Sequence, residues 1–291
     1  MVPTDGSDSG TSGQMSTIAE SNFWNPKCRI RLLFSAFQAT AVWQWWRCLC
    51  SHIPSGKKVL RLNLDETAVR FFYKPNKGLR TKRTPNHDIH EARAVQHATK
   101  GQQRRALTHV ATNCDDSELQ PRIPQFILGA EHVLRVRDMD CIASTLSPNV
   151  HLWRRKSGWI NKAVMKDILT TLGNALAPLL THCQPILLMD AHKAHFATDV
   201  LRWAAKQHIW SCIVPASMTF LLQPLDTDVF SRYKAFLRRR YAEFLSDQPS
   251  GELSAASVIL AMNEACRYVL QAHAWESVFS KNGFDMSQLE V

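Results

Sequence analysis

The stretch Pro185-Ile-Leu-Leu-Met-Asp190 constrains the fold more than any other part of the chain. An apolar run without a polar interruption has no solvent face, so it suits a strand buried on both sides at the centre of a sheet covered by helices. The run stops at a carboxylate. Helical spacing over residues 197–207 and a second apolar run, Ile209 to Val214, come next, and that order makes a right-handed parallel crossover. Upstream, Leu60, Leu62 and Leu64 alternate with Arg61 and Asn63 and end at Asp65, which is the period of a strand. Ala68–Tyr73 reads as its hairpin partner. Ala106–Cys114 and Gln125–Gly129 continue an antiparallel meander around Asp115, Asp116 and Pro121. Val150–Trp153 is expected as a short strand, and Ile160–Leu172 has helical spacing through Val164, Ile168 and Leu172.

A chain of 291 residues with 45% apolar content can bury a sizeable core in one large domain or two small ones. Residues 1–22 hold Gly, Ser and Thr with Asp5, Asp8 and Glu20 and no basic residue, which reads as a flexible tail. A helical segment, 23–56, rich in Trp and Leu, packs either on the domain or on something beyond it. The main domain spans 57–248, and 249–291 forms a helical extension. The net charge is +10, and it becomes +13 without the three acids of the tail, so a polyanion is the natural partner class. The longest uncharged apolar stretch, Leu32 to Trp46, has 15 residues. A spanning helix needs about 20, so no membrane span is expected. The absence of a basic region followed by an apolar core speaks against a secretory signal. The eight cysteines form no CxxC pair and read as thiols in a reducing compartment.

A meander followed by strand, helix, strand and helix is the order of an RNase H-like α/β fold, here expected as a mixed five-stranded sheet flanked by helices. Three acids occupy telling places in that order. Asp65 ends the first strand, Asp190 ends the central one, and Asp226 opens a helix after the next. Singly they have ordinary readings, as solvated strand ends or, for Asp226, an N-cap. Adjacent strands ending at one sheet edge would gather all three. The segments Leu64-Asp-Glu-Thr67, Leu187-Leu-Met-Asp-Ala-His-Lys-Ala-His195 and Phe220-Leu-Leu-Gln-Pro-Leu-Asp226, with Tyr233-Lys-Ala-Phe236, resemble the DDE superfamily endonuclease domain of pogo and Tigger-type transposases. The likeness also takes in Arg105-Ala-Leu-Thr-His-Val-Ala-Thr112, Ser157-Gly-Trp-Ile160 and Ala274-Trp-Glu-Ser-Val-Phe-Ser-Lys-Asn-Gly-Phe284, so it runs over residues 57–285. Between Asp190 and Asp226 lie 35 residues, similar to the short second spacing of that family.

The resemblance implies a core that cuts or joins DNA phosphodiester bonds with two Mg²⁺ ions about 4 Å apart, Mn²⁺ substituting. Asp65 would bridge the metals, with Asp190 and Asp226 completing the two sites. His195 falls where the family often has its histidine, and Asp228 stands near Asp226; both are given supporting places behind the metal ligands. Ala191 and His192 follow Asp190 where the family often has Asn. Glu66 is expected to point away from Asp65 if the strand continues. Basic clusters at Lys77, Arg80, Lys82 and Arg83, at Lys100, Arg104 and Arg105, at Arg154, Arg155 and Lys156, and at Arg238, Arg239 and Arg240 suit phosphates along a duplex. Pogo-type transposases read sequence with N-terminal helix-turn-helix modules, and none is recognisable before residue 57. A second reading is therefore a transposase-derived host protein that binds nucleic acid without cutting, and a third is an inactive remnant. A nuclear protein is expected, and a transposase core would work as a homodimer on DNA ends.

Overall fold

Alternation through Leu60, Leu62 and Leu64 builds β1, a 13-residue strand over Lys58–Arg70. The structure, a computed structural model, describes residues 26–71, 105–246 and 253–285, with side chains from residue 36 onward. The 1–22 segment and Lys77, Arg80, Lys82, Arg83, Lys100 and Arg104 lie outside the described residues. The hairpin expected between Asp65 and Ala68 is not formed. Glu66-Thr67 contains no turn former, so β1 runs on and pairs with β2 (Ala106–Cys114) as far as Arg70↔Ala106.

The sheet has six strands rather than five. Its order is β4-β3-β2-β1-β5-β6, with β3 at Gln125–Ala130, β4 at Val150–Arg155, β5 at Cys183–Asp190 and β6 at Trp210–Val214. The short strand expected at Val150–Trp153 is present as β4 and pairs in parallel with β3, extending that edge. Strands β1, β2 and β3 are antiparallel neighbours, while β5 runs parallel to both β1 and β6. This is the mixed, helix-flanked, RNase H-like arrangement.

Period-two alternation divides the core into two layers. Leu60, Leu62, Leu64, Leu187 and Met189 face helices α3 (Lys162–Leu176) and α4 (Thr198–Lys206). Asn161 caps α3, accepting from the backbone N–H groups of Ala163 and Val164 at 3.0 Å each. On the other face, Ile186, Leu188, Cys212 and Val214 meet α1 (Pro26–Ser51) and α2 (Val136–Ile142). They also meet the helices of the second half: α5 (Thr219–Leu222), α6 (Phe230–Ser246), α7 (Ala255–Ala265) and α8 (Glu276–Lys281). The chain after residue 252 buries Val258, Ile259, Met262, Phe279 and Phe284 in this same layer. Helix α1 is tied to the C-terminal turn by Trp43 Nε1, which donates to Asn282 O at 3.0 Å, and by Trp46 edge-on to Phe284. Among the described residues no helix is long and apolar enough to cross a membrane.

Candidate active site

Parallel pairing of Asn63 with Leu188 sets Asp65 and Asp190 at one level on neighbouring strands. Alternation turns both toward the layer that contains Leu188 and Leu225. Asp226 arrives from the segment after β6, on a π-helical turn over Leu225–Val229 that runs into α6. Two buried amides attach that turn to β1. Asn63 Oδ1 accepts from Leu225 N at 2.8 Å while its Nδ2 donates to Leu188 O at 3.1 Å. Gln223 Nε2 donates to Leu64 O at 3.4 Å, one residue from Asp65. The Gln-Pro-Leu-Asp motif thus has a mechanical meaning: a buried glutamine and a buried leucine fix the turn, and the aspartate that follows is delivered to the strand carrying the first acid.

The three aspartates share an electrostatic neighbourhood. Asp65 is nearly buried, and its carboxyl is pushed up to about 8, by burial first and then by the charges of Asp226, Glu66 and Asp190, against the opposing hydrogen bond from Glu66 N. Asp228 has a different environment, held by Lys281 Nζ at 3.1 and 3.2 Å.

His195 is fully buried and bridges two carboxylates, with Nδ1 2.6 Å from Asp190 Oδ1 and Nε2 2.7 Å from Glu66 Oε1. Both ring nitrogens donate only in the imidazolium form. Burial opposes that charge, but the bonds to Asp190 and Glu66 outweigh it and push the ring up to about 10. Asp190 is held below the ordinary carboxylate range because, although burial raises it, the hydrogen bond and charge of His195 and the N–H of His192 prevail. Glu66 leaves β1 on the face opposite Asp65, as alternation requires, yet His195 brings its carboxylate back to the site. A neighbour in a strand is easily set aside, and only the position of His195 five residues after Asp190 hinted at this link.

Glu66, Asp190 and His195 offer ligand atoms within 4.8 Å of one another. With both its nitrogens committed, His195 acts there as a cation rather than as a donor to metal. Oxygen donors remain: among the described residues Asp65 Oδ1 takes the Glu66 N–H at 2.8 Å and Asp190 Oδ1 takes His195, and neither Oδ2 has a hydrogen-bond partner there. Asp65 and the exposed Asp226 lie outside that close cluster and meet its side chains through charge alone; carboxylate oxygens of this kind are the hard donors that Mg²⁺ and Mn²⁺ prefer.

The described basic residues divide by environment. Arg105 lies over the Phe71 ring at 4.6 Å. Arg154 donates to Leu134 O at 3.0 Å, and Arg155 pairs with Asp167 at 3.0 Å. Arg238 is exposed, and Arg239, also exposed, lies over Phe236 at 5.3 Å. Arg240 is engaged by Glu264, at 2.5 and 3.0 Å, and by Glu243. The sheet register sets Arg105 and Arg155 at the end where β1 terminates.

The family model described as the DDE superfamily endonuclease matches residues 104–283. No curated protein matches the chain. Solved structures similar to it include the Mos1 transposase paired-end complex with left transposon end, at 12% identity and a TM-score of 0.44, covering 84% of this chain and 61% of that one. Another is the Mos1 mariner paired end complex with Mn, at 12% identity and 0.40, covering 84% and 62%. The chain therefore spans about three-fifths of the length of these neighbours.

Proposed function

The chain belongs to the DDE superfamily endonucleases, and from that premise we propose that it binds DNA and cleaves or transfers phosphodiester bonds with divalent metal, Asp65, Asp190 and Asp226 holding the ions. The observation that carries this reading is Asp65, a nearly buried carboxylate repelled by three neighbouring acids, an arrangement that a divalent cation relieves. Bound there, Mg²⁺ or Mn²⁺ would activate a water or a DNA 3′-hydroxyl and stabilise the leaving oxygen. The chain's own groups orient and balance charge. His195 fixes one oxygen of Asp190, and Asn63 with Gln223 holds the turn that presents Asp226. Arg105, Arg154, Arg155, Arg238 and Arg239 supply positive charge for phosphates, joined on this reading by Lys82, Arg83 and Arg104. The protein then works in the nucleus, as a homodimer on DNA ends of the pogo and Tigger type.

The test pairs cleavage with binding. Supercoiled plasmid should be nicked with Mg²⁺ or Mn²⁺ and not with Ca²⁺, and Asp190→Asn should abolish nicking while leaving duplex affinity intact. That affinity should fall about a thousandfold from low to moderate salt if about six phosphates are neutralised. Duplex binding without metal-dependent nicking in the wild type would refute catalysis and leave a nucleic-acid-binding host protein. Salt-independent affinity would refute the basic interface.

A further inference from the structure

Helix α1 is apolar on more than one side. Ala39, Val42, Trp46 and Cys50 are buried in the core. A second row, Phe37, Ala41, Trp45, Cys48 and His52, lines a groove instead, with Phe37 72% and Trp45 50% exposed. A single row sustained over about four turns marks one continuous face of the helix. Across the groove stand Phe196, 59% exposed, and Leu201 and Ala205 of α4.

Helices α1 and α4 cover opposite faces of the sheet, so the groove between them, about 910 Å³, opens along the edge of the sheet. That edge is β6, the last strand in the order, which pairs only with β5 among the described residues. Trp210, Ser211 and Ile213 of β6 line it. An edge strand leaves alternate N–H and C=O groups on its outer side without a sheet partner. Among the described residues no Asp or Glu lines the groove; within three positions of its lining residues on the α4 side, Lys193, Arg202 and Lys206 are exposed, against a single exposed acid, Asp199, which Lys162 and Lys166 already pair.

We propose that this groove receives an extended segment of a partner protein, added to the sheet as a seventh strand along β6. Its apolar side chains would alternate toward Phe37, Trp45 and Phe196, and acidic residues would flank them. The strand edge selects the conformation, because only an extended chain can satisfy a row of outward main-chain groups. The aromatic walls select apolar side chains, and the basic surroundings select acidic flanks. A docked helix would leave the outward main-chain groups of β6 without partners. Five residues of β6 offer about 16 Å of edge, enough for a segment of similar length. The proposal does not depend on the cleavage reading.

The experiment selects a random heptapeptide phage library on the full-length chain, then measures fluorescein-labelled winners by anisotropy. Winners should alternate apolar residues between acidic ends. Phe37→Glu and Trp45→Glu, both at exposed positions, should weaken them about thirtyfold while preserving the circular dichroism and melting temperature of the wild type. N-methylation of alternate peptide amides should abolish binding in one phase of the alternation and spare it in the other. A consensus repeating every three or four residues, indifference to N-methylation, or enrichment equal to that on Trp45→Glu would overturn the proposal. So would a wild-type dimer in sedimentation that Phe37→Glu makes monomeric, since a second copy would then fill the groove.

Discussion

Replacing Asp65 by Asn should stabilise the metal-free protein at pH 8 while removing its response to cations. Asp65 is 8% exposed, and its carboxyl sits at about 8 instead of 3.8 because of burial and then of Asp226, Glu66 and Asp190. A carboxyl whose folded-state value is raised contributes in full below its unfolded value and loses that contribution as pH rises to the folded one. Stability should therefore weaken between about pH 4 and pH 8. At about 1.36 kcal/mol per pH unit the whole interval is worth at most about 6 kcal/mol. Water and relaxation around the acids screen part of it, and about 2 kcal/mol is the portion expected to be measured. For a chain of this size that corresponds to roughly 3 °C in melting temperature. The asparagine keeps an oxygen for the Glu66 N–H, 2.8 Å away in the wild type, so the local backbone bond survives. His195, pushed up to about 10, loses its own contribution from about pH 6.5 upward, but it does so in both proteins and cancels in the comparison. Differential scanning fluorimetry in EDTA should find the two proteins nearly alike at pH 4.5 and the variant higher at pH 8, and Mn²⁺ at pH 8 should raise the wild type alone. A variant less stable than wild type at pH 8, or an equal gain at both pH values, would refute the electrostatic reasoning.

Asp226→Asn should abolish metal-dependent nicking, whereas Asp228→Asn should retain it and cost less than about 1 kcal/mol, because its partner Lys281 is 64% exposed; loss of nicking in both would reassign the third acid. Arg240→Ala should lower stability by about 1 kcal/mol, with little change in duplex affinity, since Glu264 and Glu243 already occupy its guanidinium. Arg238→Ala should do the reverse, as read by thermal melts and by anisotropy on the same duplex. Gly283 has φ +85°, and a Cβ there would lie 2.3 Å from Trp43 Nε1. Gly283→Ala should therefore cost more than about 2 kcal/mol and loosen α1, which proteolysis within α1 would report.

Much of the fold can be read from one-dimensional patterns because it rests on them. The apolar run ending at Asp190 had to be a central strand, and alternation through Leu60 to Leu64 had to be a half-buried one. What those patterns do not contain is length and pairing. The continuation of β1 past Asp65 depends on β2 offering partners as far as Ala106, a contact across residues far apart in sequence. The strand at Val150 was legible, but its parallel pairing with β3 depends on a contact that the pattern does not contain. The helical reading of residues 23–56 anticipated α1 but left open which side packs on the domain, because its polar row, Thr40, Gln44, Arg47 and Ser51, is narrow and leaves two apolar rows, of which the pattern alone does not say which is covered.

The candidate site divides the same way. Three aspartates were visible because each closes or follows an apolar segment. The contacts that surround them were not, since they are made by polar groups acting across the sheet. Asn63 reads as one polar step of an alternating strand, yet its amide holds both Leu188 of β5 and Leu225 of the turn that bears Asp226. Glu66 reads as an outward neighbour, yet through His195 it is linked to Asp190. Each linkage joins β1 to a segment more than 120 positions away in sequence. A buried amide with no partner is costly, so Asn63 makes the placement of Asp226 a condition of burying β1. The third acid is accordingly built into the folding of the core. Asn63→Leu should for that reason remove the turn from its seat and with it the charge of Asp226 beside Asp65, which makes the fold itself the positioning device of the site.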